Sequence, residues 1–270
     1  MNTLTVPYPV DLPVGGEADE KHWRTLIDEP CVIYAPDSEQ PWAVYDTLQQ
    51  DWRKIGDALQ HVRRSEDVRT HQSFIRRSRP FGAMPRLVVR KKDSCYRCTF
   101  DLEHPDLLAA LTDLSSELED AYQQHRPDVF AHHRQCADTV REEWRLGSGV
   151  YTSGIINYNS ALNYHRDGAN FPRTWNAMVV FRQHTDGGNF VVPGAEVAFP
   201  MRDQSYLLLN AQEITHGVSP VKKQRRDGYR TSVVFYSLRQ LCRCGSPDEE
   251  LELARRKRTE REQRRAGLIE

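Results

Sequence analysis

No stretch of this 270-residue chain approaches the roughly 18 apolar residues that a membrane-spanning helix requires. The first residues carry acids and prolines where a secretory leader needs an apolar core. Both absences predict a soluble protein of the cytoplasm with no membrane partner. An excess of one charge is also missing, since 37 Lys and Arg face 38 Asp and Glu for a formal net charge of −1. No internal repeat stands out. Cysteine is sparse, with six residues that include the close pairs Cys95/Cys98 and Cys242/Cys244. In a cytosolic chain such residues are expected to be buried, reduced and unpaired, with a zinc site shared by the two pairs as the alternative.

What is present organises the chain. An apolar fraction of 39% supports one domain with a flanking element. Charges are banded: residues 1–70 hold 13 acidic and 7 basic side chains, whereas Phe74 to Arg97 hold 8 basic ones and a single acid, Asp93. Residues 1–19, rich in Pro and Gly, read as an extended or poorly ordered arm. Residues 20–146 read as a helical support region that includes the basic segment 74–97. Its helices are expected across Trp42 to Val68, after Pro105 through Leu107, Leu111, Leu114, Leu118 and Tyr122, and over Pro127 to Trp144. Residues 147–244 switch to short β-branched and aromatic runs, seven in all, punctuated by turns such as Asp186-Gly187-Gly188 and Asp227-Gly228. The fold class that follows is mainly β with α support, an α+β chain with a jelly-roll core and an N-terminal helical layer. Residues 245–270 read as a charged helix or tail, Pro247 to Arg265 being the helical part. A solvated helix explains its basic residues at least as well as a nucleic-acid contact does.

Within the strand-rich segment, three groups of polar residues follow in order. His165 and Asp167 sit two apart near a strand end, so their side chains share a face. A lone His-x-Asp is more often surface structure than a metal site. His216, on a later strand, adds the third donor, and two imidazoles with one carboxylate on one face are the ligand set of a non-haem Fe(II) oxygenase. Arg230 and Ser232, again two apart, suit a carboxylate because the planar guanidinium fork grips both oxygens.

These residues resemble the 2-oxoglutarate and Fe(II)-dependent dioxygenases. Thr152 to Asn157, Tyr164 to Asn170, His216 to Pro220 and Arg230 to Tyr236 are similar in turn to the TET/JBP family, especially its small phage-type members. The resemblance spans about residues 75 to 244 and is strongest from Thr152 onward. It implies a double-stranded β-helix and oxidation of the 5-methyl group of a pyrimidine in DNA, with Fe(II), 2-oxoglutarate and O2 as cofactors. Carried over by residue, His165, Asp167 and His216 would hold iron, and Arg230 and Ser232 the distal carboxylate of 2-oxoglutarate. An aspartate at 167 implies hydroxylation, because related halogenases have a small residue there.

Substrate residues are implied too. Asn170 matches a position that contacts the cytosine edge in animal TET enzymes, and Tyr236 matches a pocket tyrosine. The histidine that family places eight residues after the oxoglutarate arginine is Leu238 here. Conversion of 5-methylcytosine to 5-hydroxymethylcytosine is the leading expectation. Thymine hydroxylation to 5-hydroxymethyluracil stays open, as does a protein or metabolite hydroxylase of the same superfamily. A methyl group inside a duplex cannot reach a buried metal, so the base must be flipped out. Arg76, Arg77, Arg79, Arg86, Arg90, Lys91 and Lys92, with Lys222, Lys223, Arg225 and Arg226, are the candidate phosphate contacts. No protein partner is expected.

Overall fold

The computed structural model describes residues 1–67, 76–86 and 93–267. Its first half contains β1 (Asn2–Thr5), β2 (Thr25–Leu26), β3 (Cys31–Tyr34), β4 (Pro41–Thr47), α1 (Arg53–Leu59), β5 (Ser65–Asp67), β6 (Arg76–Met84), β7 (Tyr96–Arg97), α2 (Thr99–Glu103), α3 (Pro105–His125) and α4 (Pro127–Ala137). Its second half contains β8 (Ser153–Tyr158), β9 (Leu162–His165), β10 (Asn176–Gln183), β11 (Thr185–Gly187), β12 (Phe190–Val192), β13 (Val197–Phe199), β14 (Ser205–Leu209), β15 (His216–Val218), β16 (Val221–Lys223), β17 (Tyr229–Tyr236) and α5 (Pro247–Arg265).

Two sheets face each other. The larger runs β1-β3-β4-β14-β10-β17-β8-β6-β5, with β7 added on β6, and the smaller runs β2-β13-β12-β15-β9. Their antiparallel core makes the jelly roll. Alternation along the central strands decides what each face meets. Met178, Val180, Leu207 and Leu209 point inward and pack on Phe190, Val192, Val197 and Phe199 of the smaller sheet. Ala177, Val179, Phe181, Val233, Phe235 and Ile156 point outward onto Ile55, Leu59, Leu111, Leu114, Leu118 and Tyr122 of the helical layer. The last four lie three or four apart along α3 and are fully buried, so that helix presents one apolar stripe. Gly56 lets α1 come this close, since a Cβ there would lie 2.7 Å from Phe181 Cγ.

The helix expected across Trp42 to Val68 is a correction. Residues 41–47 form a strand, and the helix covers only Arg53–Leu59. Trp42 to Tyr45 are all buried because β4 lies between β3 and β14 and is covered on both faces. A strand buried on both sides reads as a continuous apolar run, and Val44 and Leu48 fell by chance at helical spacing. The region 20–146 therefore supplies sheet as well as helix. In the arm, Asn2–Thr5 pair in parallel with Cys31–Tyr34. The third expected helix stops at Ala137 and is followed by a separate 3-10 turn over Glu142–Trp144.

The cysteine expectation is corrected as well. Cys95 and Cys244 form a disulfide, whereas Cys31, Cys98, Cys136 and Cys242 are free. What brings the two segments together is Glu250, 2% exposed in the first turn of α5. Its carboxylate accepts from Cys95 N at 2.7 Å and Gly245 N at 2.8 Å and pairs with Arg86. Cys98 and Cys242 stand outside this cluster, so the two pairs do not converge on one zinc ion. The rest of α5 is a solvated helix, entered through a Ser246/Glu249 capping box. Among the described residues no helix is long and apolar enough to cross a membrane.

Candidate metal and cosubstrate site

β9 ends at His165 and β15 begins at His216, and the antiparallel register places these two residues opposite each other. Their ring centroids are 4.4 Å apart. Asp167 follows just past the strand end, with Oδ1 3.8 Å from His165 Nε2. One ligand atom from each of His165, Asp167 and His216 lies within 4.8 Å of the others. Each imidazole is oriented by a carbonyl two residues back: His165 Nδ1 lies 2.8 Å from Asn163 O and His216 Nδ1 2.9 Å from Ile214 O. A proton on each Nδ1 leaves both Nε2 lone pairs free for a cation. Burial, and then the neighbouring His165, push the His216 pKa down to about 4, so its ring is neutral at physiological pH. Phe190 stacks on His216 with centroids 5.0 Å apart. The donor set fits a divalent iron with open positions on the far side.

Arg230 and Ser232 project from β17 into the space between the sheets, on the face that carries Val180 and Asn157 in neighbouring strands. Arg230 is 1% exposed. Among the described residues its Nε and Nη2 have no hydrogen-bond partner. Burial, followed by repulsion from Arg182, drives its pKa down to about 9. Buried donors left unmatched on a cation are costly, and an anion with two oxygens satisfies them. The distal carboxylate of 2-oxoglutarate has that chemistry. Gly188 provides the room for the arginine stem.

Around the donors lies a strap from the chain's first residues. Gly15 N donates to Tyr164 O at 2.7 Å and Tyr164 N to Gly16 O at 3.0 Å. Thr215 Oγ1 donates to Leu12 O at 3.0 Å and accepts from Arg166 Nε at 3.0 Å, while Arg166 also pairs with Asp11. Tyr164, Arg166 and Thr215 each adjoin a candidate ligand in sequence, so the strap fixes the backbone on both ligand-bearing segments.

Of the implied substrate residues, Asn170 is buried and bridges backbone-to-backbone with Leu238. Its side-chain amide contacts Asn176, which in turn contacts Asp167. Tyr236 is half-buried at the end of β17, against the apolar cluster of Phe171, Leu238 and Cys244. Sequence reasoning missed Asn176, Gly188 and the strap. The signal for Gly188 was there, in Asp186-Gly187-Gly188, but it reads as a turn.

The basic residues divide. Arg79 is engaged by Thr99 and Glu103, and Arg86 by Glu250, so both are held internally. The side chain of Arg76, and all of Arg90, Lys91 and Lys92, lie outside the described residues. Lys222 and Lys223 on β16, paired with β11, and Arg225 and Arg226 in the turn that leads to β17 are exposed, just before Arg230.

Comparison with known proteins adds a family and a fold. The Tet_JBP family model, an oxygenase domain of the 2OGFeDO superfamily, matches residues 89–239. NgTET1, solved in complex with 5mC DNA, superimposes with a TM-score of 0.60 at 12% identity, covering 86% of this chain and 89% of that one. An oxidoreductase of the 2OG-Fe(II) oxygenase family from Burkholderia pseudomallei gives a TM-score of 0.48 at 16% identity, over 73% of this chain and 86% of that one. No curated protein matches the chain significantly.

Proposed function

Because the chain belongs to the TET/JBP family of 2-oxoglutarate and Fe(II)-dependent oxygenases, we propose that it hydroxylates the methyl group of 5-methylcytosine in DNA to give 5-hydroxymethylcytosine. As a member of that superfamily it is an enzyme that uses Fe(II), 2-oxoglutarate and O2. The observation that carries the chemistry here is the fully buried Arg230 with two unmatched donors, in the same jelly roll as the His165, Asp167 and His216 cluster. The DNA half of the reading draws on the fold shared with NgTET1, which was solved with 5mC DNA.

In this reading His165, Asp167 and His216 hold the iron and Arg230 with Ser232 holds the distal carboxylate of 2-oxoglutarate. Bound together, iron and cosubstrate supply the oxidation: 2-oxoglutarate, O2 and the methyl group become succinate, CO2 and the hydroxymethyl group. The protein's own work is placement. The Nδ1 contacts of both histidines aim their Nε2 atoms at one point, Phe190 closes one side against water, and the strap holds the ligand strands in register. Asn170 and Tyr236 line the approach of the base. The exposed Lys222, Lys223, Arg225 and Arg226 would grip phosphates while the base leaves the stack.

Leu238 supports keeping thymine as a second substrate, because an apolar side chain there does not read a cytosine edge. Anaerobically purified protein given Fe(II), 2-oxoglutarate and DNA containing both methylated pyrimidines decides the matter. We expect succinate together with 5-hydroxymethylcytosine by nucleoside mass spectrometry. Product from thymine alone overturns the choice of base, and succinate without any DNA product points to a protein or metabolite substrate.

A further inference from the structure

We propose that Asn176 is a positioning residue that couples the candidate metal carboxylate to the substrate pocket. It holds Asp167 by one oxygen and compels Asn170 to present a hydrogen-bond acceptor to the base. The preference for a base rests on the substrate reading above, whereas the hold on Asp167 rests only on its place among the candidate metal ligands.

Asn176 opens β10 and is 4% exposed. Its Nδ2 donates to Asp167 Oδ2 at 2.7 Å, and its Oδ1 accepts from Asn170 Nδ2 at 3.0 Å. The other oxygen, Asp167 Oδ1, is the one that faces His165. One oxygen is therefore occupied by the amide and one is left for a cation, which favours binding through a single oxygen. Asp167 N, donating to Ala211 O at 3.0 Å, anchors the backbone of the same residue.

The direction of the chain of bonds follows from chemistry alone. A carboxylate that binds a cation is ionised and has no proton to give. The group against Oδ2 must therefore be the NH2 of Asn176, which turns the Asn176 carbonyl towards Asn170. That carbonyl needs a donor, so Asn170 must offer its own NH2. Asn170 Oδ1 is then the end left over, and among the described residues no donor reaches it. An amide that could otherwise flip is locked by a carboxylate one side chain away.

The locked orientation selects among bases. On a 5-methylpyrimidine the ring carbon next to the methyl-bearing one carries an amino group in cytosine and an oxo group in thymine. In the reading above Asn170 lines the approach of the base, and with the methyl group at the metal it would face that neighbouring substituent. An acceptor pairs with the amino group and opposes the oxo group. Asn176 thereby sets a preference for 5-methylcytosine without touching the base, and this compensates for the apolar Leu238.

Co(II) titration of Asn176→Ala, Asn176→Leu and Asn170→Ala, read by the ligand-field spectrum without DNA, tests the coupling. Loss of the Asp167 partner is expected to weaken Co(II) binding about 10–100-fold in the alanine variant. Leucine keeps the volume of the asparagine but has no donor, so it should lose affinity as alanine does, and Asn170→Ala should bind Co(II) as the wild type does. With DNA holding both pyrimidines, Asn176→Ala and Asn170→Ala should each lower the ratio of cytosine to thymine product. Wild-type Co(II) affinity in Asn176→Ala overturns the proposal. Wild-type affinity restored in the leucine variant also overturns it, since Asn176 would then serve only packing. An unchanged product ratio in both alanine variants overturns the part concerning the base. If the wild type converts neither pyrimidine, the substrate reading fails, and the Co(II) measurements still decide the role of Asn176.

Discussion

Gly188 and Arg230 are packed so closely that a Cβ on the glycine would stand 2.6 Å from Arg230 Cδ and 2.7 Å from Nε. Gly188 also has φ +67°, a conformation that side chains resist. Gly188→Ala should displace the guanidinium and raise the KM for 2-oxoglutarate at least about tenfold, the scale of one lost charge-assisted bond of roughly 1.5–3 kcal/mol. Co(II) binding should not change, because the metal cluster lies on other strands. Steady-state succinate release and a Co(II) titration check the two halves separately.

Arg230 itself should separate stability from function. Its buried charge has unmatched donors in the ligand-free protein, and replacing such a charge by an apolar side chain of similar volume is often neutral or stabilising. Arg230→Met should melt at or above the wild-type temperature without ligand. It should also lose the upward shift that 2-oxoglutarate gives the wild type, since a ligand stabilises only a state it binds. Thermal melts with and without 2-oxoglutarate provide the check.

How much of this was legible beforehand depends on the length scale of each signal. His165 with Asp167, and Arg230 with Ser232, were readable because a strand puts i and i+2 on one face and the residue types name the chemistry. Trp42 to Tyr45 misled because burial on both faces erases alternation. Asn176 was unreadable: its role depends on which strand lies beside β10 and on the carboxylate that meets it, and neither is local. The Cys95–Cys244 bond likewise depends on Glu250 drawing together segments 149 residues apart.

Glu119, on the buried side of α3, should make stability fall as pH rises. It accepts from Val150 N at 2.9 Å and lies 3.6 Å from Arg134, yet burial dominates and raises its pKa from 4.5 to about 7. Between those values the unfolded chain has released the proton and the folded chain retains it. The stabilisation is complete below the unfolded pKa and is lost as pH rises through the folded one. Relative to Glu119→Gln, the wild type should lose roughly 2–3 kcal/mol between pH 5 and pH 8 in denaturant titrations.

Arg166 ties Asp11 to Thr215 beside the candidate ligands. Arg166→Met should lower Co(II) affinity about fivefold, corresponding to roughly 1 kcal/mol of lost pairing at a partly exposed site. Far-ultraviolet circular dichroism should be unaltered. A full wild-type affinity in this variant would show that the strap does not tune the ligands.

The strap has a further consequence, for the order in which the molecule acquires its parts. Thr215 reaches Leu12 across 203 residues of chain, and Gly15 meets Tyr164 across 149. Contacts of such separation close late, because the entropy of the intervening loop is lost before they give anything back. In a refolding chain the helical layer can be in place while the ligand-bearing strands still lack their strap. Metal uptake would then lag behind the recovery of secondary structure, and the interval between the two would time the final closure of the fold.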